Sequence, residues 1–211
     1  MRVIAIDGPA GSGKSTIAKL LAARLGLEYL DTGAMYRGVA FAALRRGVDP
    51  ADAEVVACIA SDVDLVPDEQ GIRVDGVDAS IEIRGPEVTR AVSIVAANPE
   101  VRSEMVSRQR EWARQRGGGV LEGRDIGTVV FPDAELKLYL TASPEVRAAR
   151  RSKEVTDLDY HTVAADLARR DALDQRRDSD PLRSADDAIE LDTTDRSIDE
   201  VLDLIVGMLD D

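Results

Sequence analysis

Residue types that build disulfides and zinc sites are almost missing from this 211-residue sequence. It holds one cysteine, Cys58, and one histidine, His161. A single cysteine cannot form an intramolecular disulfide, and one cysteine with one histidine cannot supply the ligand set of a usual zinc site. No apolar run approaches the length of a membrane span, so we expect no membrane among the partners.

Basic residues are also fewer than acidic ones. The chain carries 27 Lys and Arg against 40 Asp and Glu, which gives a net charge of −13. Since a nucleic-acid-binding protein normally carries a basic stripe, we expect no nucleic acid among the partners. Arginine supplies 23 of the 27 basic residues. Composition bias explains most of that excess, so only arginines in particular places are informative.

The N-terminal stretch MRVIAIDGPAG contains an apolar run that is too short for a signal peptide and leads directly into a glycine-rich motif. We therefore expect a cytoplasmic protein. The sequence contains no heptad seam of the kind that joins helices of different chains. We take a monomer as the expected state.

Apolar periodicity predicts strands that alternate with helices. Short apolar runs of the kind found in buried parallel strands occur at 3–6, 28–30, 120–121, 136–140 and 188–191. Residues with helical spacing and helix-capping signals lie between these runs. Such alternation predicts an α/β protein with a doubly wound, parallel, five-stranded sheet.

Capping signals mark the ends of several helices. Asp49-Pro50 predicts an N-cap followed by proline at the first helical position, with a helix that runs to about residue 61. Asn98-Pro99 predicts the same start for a long helix that the glycines 117–119 close. Ser197 and Glu200 form a capping box for the last helix.

The segment 63–84 has a different pattern. Its apolar residues alternate with polar ones, and turn residues occur at 67–71 and at Asp75-Gly76. Alternation of this kind, with short turns, predicts antiparallel strands. We therefore expect a three-stranded meander inserted into the α/β frame.

A phosphate-binding motif follows the first predicted strand. Residues 8–15 read GPAGSGKS and fit the P-loop pattern G-x-x-x-x-G-K-[ST] in full. The glycines let backbone N–H groups curl around an anion, and the N-terminus of the next helix adds partial positive charge. We expect Lys14 to contact the β- and γ-phosphates of ATP and the Ser15 hydroxyl to bind Mg²⁺. The predicted ATP-binding residues are Gly8, Pro9, Ala10, Gly11, Ser12, Gly13, Lys14, Ser15 and Thr16.

Further motifs separate the classes of P-loop protein. A GTPase would need the guanine-reading motif N-K-x-D, but the only asparagine, Asn98, precedes a proline. Residues 68–71 match D-x-x-G, but they lie in a predicted turn, so we interpret the match as chance. A motor ATPase usually carries an aspartate at the end of a long apolar strand, and no strand here fits. Small-molecule kinases instead neutralise the donor and acceptor phosphates with arginines.

Arginines occur where α/β proteins bind ligands. Arg37 follows the second predicted strand and Arg124 follows the third, at the carboxyl ends of parallel strands. Arg147 and Arg151 precede a polar segment at 154–160. Arginines that flank such a segment favour a lid that closes over the phosphates and excludes water. Others near this segment are Arg150, Arg169, Arg170, Arg176 and Arg177.

Together these residues resemble the bacterial cytidylate kinase family of P-loop nucleoside monophosphate kinases. The resemblance covers essentially the whole chain. It rests on IAIDGPAGSGKST at 4–16, LDTGAMYR at 30–37, GRDIGTVVFPD at 123–133 and RDALDQRR at 170–177. The first stretch is common to many kinases, whereas the second and third together are specific to this family.

The resemblance implies a domain organisation. The chain would form one P-loop kinase unit over 1–211, with a monophosphate-binding region at 32–116. That region would contain the meander near 63–84. A short lid would occupy 147–160, and the remainder would form the core.

The resemblance also implies an activity: MgATP and CMP or dCMP would give ADP and CDP or dCDP. Reading of the cytosine edge is assigned to Ser93, Arg102 and Asp125. A carboxylate can accept from the N4 amino group of cytosine, where uracil presents a carbonyl. Thr32, Arg37 and Arg124 would hold the acceptor phosphate, and Arg170, Asp174 and Arg177 would contact the sugar and the region between the substrates. The implied catalytic residues are Lys14, Arg124 and the lid arginines Arg147 and Arg151.

Several alternatives remain open. Ser93 lies in an apolar helix, where a small hydroxyl often bonds back to a carbonyl, and Asp125 could be a helix cap. Glu122 stands where some relatives carry aspartate, which leaves its role open. We expect His161 to be exposed at a helix start and assign it no catalytic role. The acceptor could instead be UMP or shikimate, and a non-catalytic nucleotide sensor is the alternative outside enzymes.

Overall fold

Five parallel strands form the central sheet of the computed structural model, which describes residues 1–68, 71–154, 159–177 and 179–210. The strands are β1 (Arg2–Asp7), β2 (Tyr29–Asp31), β6 (Gly118–Gly123), β7 (Leu136–Thr141) and β8 (Ile189–Asp192). Their order across the sheet is β2-β6-β1-β7-β8. The predicted doubly wound parallel sheet is therefore confirmed.

Helices cover both faces of this sheet. They are α1 (Lys14–Leu25), α2 (Thr32–Arg45), α3 (Ala53–Asp62), α4 (Pro86–Val95), α5 (Pro99–Arg116), α6 (Pro144–Glu154), α7 (Tyr160–Arg176) and α8 (Ile198–Asp210). Successive strand residues point to opposite faces, so Val3 and Ala5 pack in the core under α2–α5. Ile4 and Ile6 pack in the second core, with α1 and α8. Among the described residues, no helix is long and apolar enough to cross a membrane.

The central position of β1 determines where a ligand can bind. The chain leaves β1 for the edge strand β2, returns beside β1 through β6, and then crosses to β7 on the other side of β1. Such a reversal of strand order opens a crevice at the carboxyl ends of the strands. The P-loop, residues 8–15, begins directly after β1 and therefore lies at this crevice.

The predicted meander is also confirmed. Strands β3 (Leu65–Pro67), β4 (Ile72–Val74) and β5 (Val77–Asp78) pair antiparallel in that order. Ile72 and Val74 are buried and pack beside Gly38 of α2, where a larger residue would meet their side chains. Of the predicted turn at 67–71, residues 69 and 70 lie outside the described residues.

Two predicted boundaries were wrong. Asp49-Pro50 forms a turn, in which the Asp49 carboxylate accepts the N–H of Ala51, and α3 begins only at Ala53 after the N-cap Asp52. The predicted strand at 120–121 extends over Gly118–Gly123, because only Gly117 ends α5. The other two glycines belong to β6, where the backbone of Arg2 leaves no room for a Cβ at position 118.

The capping box before α8 is confirmed, with Ser197 and Glu200 each accepting the other's backbone N–H. Around the predicted lid at 147–160, α6 runs to Glu154 and α7 begins at Tyr160. Residues 155–158 of that lid lie outside the described residues. The lid therefore stays a prediction.

Replacement of Gly8 by alanine tests the junction between the sheet and the P-loop. Gly8 has φ 145°, and a Cβ there would lie 2.1 Å from the Leu140 carbonyl oxygen in β7. We expect Gly8→Ala to lower the free energy of unfolding by about 3 kcal/mol and to weaken ATP binding. Denaturant unfolding and an ATP titration measure the two effects.

Gly207→Ala in α8 is the matched control, because a Cβ at this position would meet no atom within 4 Å. Alanine suits a helix interior better than glycine, so this variant should gain up to about 1 kcal/mol in stability. If the two variants change the free energy of unfolding and the affinity for ATP equally, the close approach of Gly8 to β7 is contradicted.

Candidate active site

The P-loop wraps around the start of α1. Gly11 and Gly13 adopt the left-handed conformation, with φ 77° and 89°, which glycine reaches without strain. The Lys14 ammonium donates to the carbonyl of Pro9 at 2.8 Å and is buried. The loop therefore presents backbone N–H groups and one lysine to the same space.

Lys14 is held in an environment that disfavours its charge. Burial and then the nearby Arg124 lower its pKa to about 7, against the opposing effect of Glu122, Asp7 and Asp31. A bound polyphosphate would reverse that balance, since an opposite charge favours the ionised form. The lysine is thus suited to an anionic ligand.

The Glu122 carboxylate lies beside the P-loop, buried on β6. It accepts hydrogen bonds from the hydroxyls of Tyr29 and Ser15. Burial, and then Asp31, raise its pKa.

The Ser15 hydroxyl and the Glu122 carboxylate are oxygen donors, which suit Mg²⁺. Among the described residues, no cluster of three or more His, Cys, Asp or Glu side chains could hold a metal ion. A magnesium ion at this place would therefore depend on Ser15, phosphate oxygens and waters, and Glu122 lies beside Ser15 through their hydrogen bond.

Several arginines, among them Arg37, Arg124 and Arg170, line the middle of the crevice. Arg37 donates to the Ile83 carbonyl at 2.8 Å and to the Thr89 hydroxyl at 3.0 Å. Burial, followed by Arg170 and Arg151, lowers the pKa of Arg37 to about 9. Like charges held this close would be relieved by an anion.

Arg124, directly after β6, is paired with α7. Its Nε donates to Asp174 at 2.8 Å. Two further guanidinium atoms, Arg170 Nε and Arg177 Nη2, are buried and have no hydrogen-bond partner among the described residues. Buried donors without a partner are costly, so these atoms mark a place that a polar ligand would satisfy.

The far end of the crevice holds a buried ion pair. Arg102 on α5 donates to the carboxylate of Asp125 and, through Nε, to Asp180 at 3.0 Å. Asp125 stands at the N-cap position of the helical turn that follows it, as the helix-cap alternative predicts, but its side chain makes no cap hydrogen bond and pairs with Arg102 instead. Burial raises the pKa of Asp125, while Arg102 opposes that effect.

These groups share one cleft of about 560 Å³. The cleft brings together most of the residues predicted from the sequence, Ser93 included. Its lining includes Ala10, Gly11, Ser12, Gly13, Lys14, Ser15, Thr16, Thr32, Arg37, Ser93, Arg102, Arg124, Asp125, Arg151, Arg170, Asp174 and Arg177. Thr32 lies at the start of α2 and donates to the Glu122 carbonyl at 2.7 Å.

Three predicted residues do not line the cleft. Gly8 and Pro9 form the base of the P-loop behind it. Arg147 donates to the Ala10 carbonyl at 3.1 Å and to the Asp171 carboxylate at 2.5 Å, and so supports the loop from α6. The lone histidine, His161, is exposed in the first turn of α7.

Sequence reasoning missed the end of the cleft beyond the P-loop. Arg150 donates to the side chain and carbonyl of Thr193 at 2.9 and 2.7 Å, and the Thr193 hydroxyl lies 3.1 Å from the Ser12 carbonyl. The capping signal at Ser197 predicts only a helix start and gives no sign of a place in the cleft. The remaining lining residues at this end are Arg196, Ser197, Ile198 and Val201.

Comparison with known proteins agrees with this geometry. Residues 4–211 match the family model described as cytidylate kinase. The chain belongs to the cytidylate kinase family. Membership confirms the resemblance seen in the sequence and identifies the chain as a phosphotransferase of this family.

Relatives named cytidylate kinase match almost the full chain. One from Mycolicibacterium paratuberculosis is 51% identical over 95% of this chain and 92% of its own length. Others from Streptomyces avermitilis and Desulfitobacterium hafniense are 45% and 49% identical, each over 99% of this chain, with 93% and 92% of their own lengths.

Solved structures of low sequence identity share the fold. An uncharacterised protein from Eubacterium ventriosum superimposes with a TM-score of 0.54 at 15% identity, over 100% of this chain and 99% of that one. A gluconokinase from Sinorhizobium meliloti gives 0.51 at 12% identity, over 98% and 90%. At these identities the likeness concerns the fold alone.

The pKa of Lys14 predicts proton uptake when ATP binds. With a pKa of about 7 in the empty site, Lys14 is mostly neutral at about pH 8, and the phosphates should restore its charge. We expect roughly one proton to be taken up for each ATP bound at that pH. Calorimetry in two buffers with different ionisation enthalpies measures this number.

Lys14→Arg is the control, since arginine stays protonated at this pH. The proton uptake should disappear in this variant even where ATP still binds. Equal uptake by both proteins would assign the proton to another group.

Proposed function

We propose that this cytidylate kinase transfers the γ-phosphoryl group of ATP to the phosphate of CMP or dCMP, giving ADP and CDP or dCDP. The observation that carries the proposal is one continuous cleft, which contains both the P-loop and the Arg102–Asp125 pair. Arginines line the cleft between these two groups, where two phosphate groups would meet. Family membership supports the same reaction.

The donor end would hold the ATP phosphates against the P-loop N–H groups and Lys14. Ser15 would ligate Mg²⁺, and Glu122 would hold the waters of the ion. Bound there, Mg²⁺ supplies charge neutralisation of the β- and γ-phosphates. Lys14, once charged, adds to that neutralisation.

The acceptor phosphate would lie among Thr32, Arg37 and Arg124. Its negative charge would offset the repulsion between the positive charges of Arg37 and Arg170. Arg170 and Arg177 both line the cleft and keep one buried donor each without a partner among the described residues, and the sugar of the acceptor would lie beside them. Charge-assisted hydrogen bonds to a phosphate are stronger than neutral ones, which favours an acceptor that already carries a phosphate.

The base would be read at the inner end of the cleft. The Asp125 carboxylate would accept from the N4 amino group of cytosine, while Arg102 and Ser93 would donate to its ring acceptors. Uracil would present a carbonyl oxygen to the Asp125 carboxylate. That contact is repulsive, so the arrangement disfavours UMP.

Catalysis would come from positioning and charge neutralisation, since phosphoryl transfer of this type needs little acid–base chemistry. Lys14 and Arg124 would stabilise the transferred group from the two sides of the cleft. Arg151 on α6, which lines the cleft, would add to this. Arg147, the other predicted lid arginine, is held outside the cleft by Ala10 and Asp171 and would have to leave these partners to reach the transferred group. The cytoplasmic location and the monomeric state also stay predictions.

Coupled ADP release with MgATP and a panel of acceptors tests the proposed reaction. The panel contains CMP, dCMP, UMP, AMP, GMP and shikimate. We expect turnover with CMP and dCMP and little with the others. Preferred turnover with UMP or shikimate would replace the acceptor, and no acceptor-dependent release across the panel would favour the nucleotide sensor.

Asp125→Asn tests the base-reading role. Asparagine keeps the size of the side chain, but its NH₂ group cannot accept from the N4 amino group. We expect kcat/KM for CMP to fall by about two orders of magnitude, the preference for CMP over UMP to narrow, and the Kd of ATP to stay within about twofold.

Asp187→Asn is the matched control, because the exposed Asp187 pairs with the buried Lys137 and neither residue lines the cleft. This variant should keep the wild-type kcat/KM and the CMP preference. Equal losses for CMP and ATP in Asp125→Asn would contradict the assignment of Asp125 to the base.

A further inference from the structure

The turn at Ile126–Val130 follows Arg124 and Asp125 directly and is wound as a π-helix. Such a turn leaves backbone N–H groups at its start and carbonyl groups at its end without helical partners. Asp125 cannot satisfy the start, because its carboxylate is committed to Arg102. The partners must therefore come from other elements.

Asp7, the last residue of β1, satisfies the start of the turn. Its Oδ1 accepts the N–H of Ile126 at 2.9 Å and its Oδ2 accepts the N–H of Gly127 at 2.8 Å. Asp7 is only 5% exposed. Both carboxylate oxygens are thus used on two consecutive backbone groups.

Arg110, on α5, satisfies the end of the turn. Its Nε donates to the Val130 carbonyl at 2.9 Å, and its Nη2 donates to the Val129 carbonyl at 2.8 Å. The forked guanidinium suits two neighbouring carbonyls. Side chains from two different elements therefore hold opposite ends of one five-residue turn.

Asp7 is a buried carboxylate, and ionisation is costly for such a group. Burial raises the pKa of Asp7 to about 6, although the two backbone hydrogen bonds and Lys14 oppose this effect. A buried carboxylate of this kind lowers stability at neutral pH relative to acid pH. Buried groups that cost stability often serve a site.

We propose that Asp7 and Arg110 are positioning residues for the acceptor nucleotide: by clamping the turn at 126–130 they fix Arg124 and Asp125 against the cleft. The inference rests on the proposed function, since it concerns the CMP half of the site. Asp7 also directly precedes Gly8. One carboxylate therefore joins the start of the P-loop to the loop that binds the acceptor.

Asp7→Asn and Arg110→Met remove the two ends of the clamp. Asparagine keeps one acceptor but turns an NH₂ group toward the second backbone N–H, and methionine removes both donors. We expect each variant to raise the Kd of CMP about tenfold and that of an unreactive ATP analogue less than about twofold. Calorimetric titration measures both constants, and Arg110→Lys, with a single donor group, should fall between the wild type and Arg110→Met.

Arg108→Met is the matched control on the same helix. Arg108 donates to the carbonyls of Val63 and Ser61 at 2.7 and 3.0 Å, at the end of α3, so it makes the same kind of contact elsewhere. This variant should lower stability and leave the Kd of CMP unchanged. Equal effects of Arg108→Met and Arg110→Met on CMP would overturn the proposal.

Amide hydrogen exchange in the empty protein tests the clamp apart from the reaction. The N–H groups of Ile126 and Gly127 should be protected in the wild type and exchange faster in Asp7→Asn. Unchanged exchange, or equal weakening of CMP and the ATP analogue, would overturn the clamp. Failure of the wild type to bind CMP would instead count against the proposed function. If Asp7→Asn does not fold, the effect of Arg110→Met on the Kd of CMP decides whether the clamp exists.

Discussion

The active site depends on holding several guanidinium groups close together before any phosphate arrives. Burial first, and then the repulsion between neighbouring arginines, lowers the pKa of Arg37 and of Arg170. Carboxylates on α7 and backbone carbonyls hold these groups in place, as Asp174 holds Arg124. Acidic residues such as Asp174 thus act as counter-charges for the arginines of the cleft.

The hydrogen-bond partners of the arginines differ along the cleft, and this difference suits the proposed reaction. Where phosphates would bind, Arg37 contacts a carbonyl and a hydroxyl, and Arg124 is held by Asp174. Arg170 and Arg177 each keep one buried donor without a partner among the described residues. Where the base would bind, Arg102 is paired with Asp125 and Asp180. Guanidinium donors without a partner favour an anionic ligand such as a phosphate. The buried Arg102–Asp125 pair has a fixed geometry, which favours recognition of one base edge.

Local signals in the sequence predicted the parts of the structure that depend on neighbouring residues. The P-loop motif, the capping box at Ser197 and the apolar strands need no distant contact. Asp49 and Asp52 are both good N-caps, and the sequence could not rank them, since tertiary packing decided where α3 begins. Asp7 gave no signal at all, because its partners lie 119 and 120 positions away in the chain. Thr193, 181 positions from Ser12, was missed for the same reason.

Calorimetric titration with CMP and with cytidine tests the central claim, that the arginine cluster recognises the acceptor through its phosphate. The two ligands share the base and the sugar and differ only in the charged group. The account predicts that cytidine binds about 100-fold more weakly than CMP, because charge-assisted bonds to Arg37 and Arg124 are lost. Cytidine that binds as tightly as CMP would contradict it, since the cluster would then have no part in holding the acceptor.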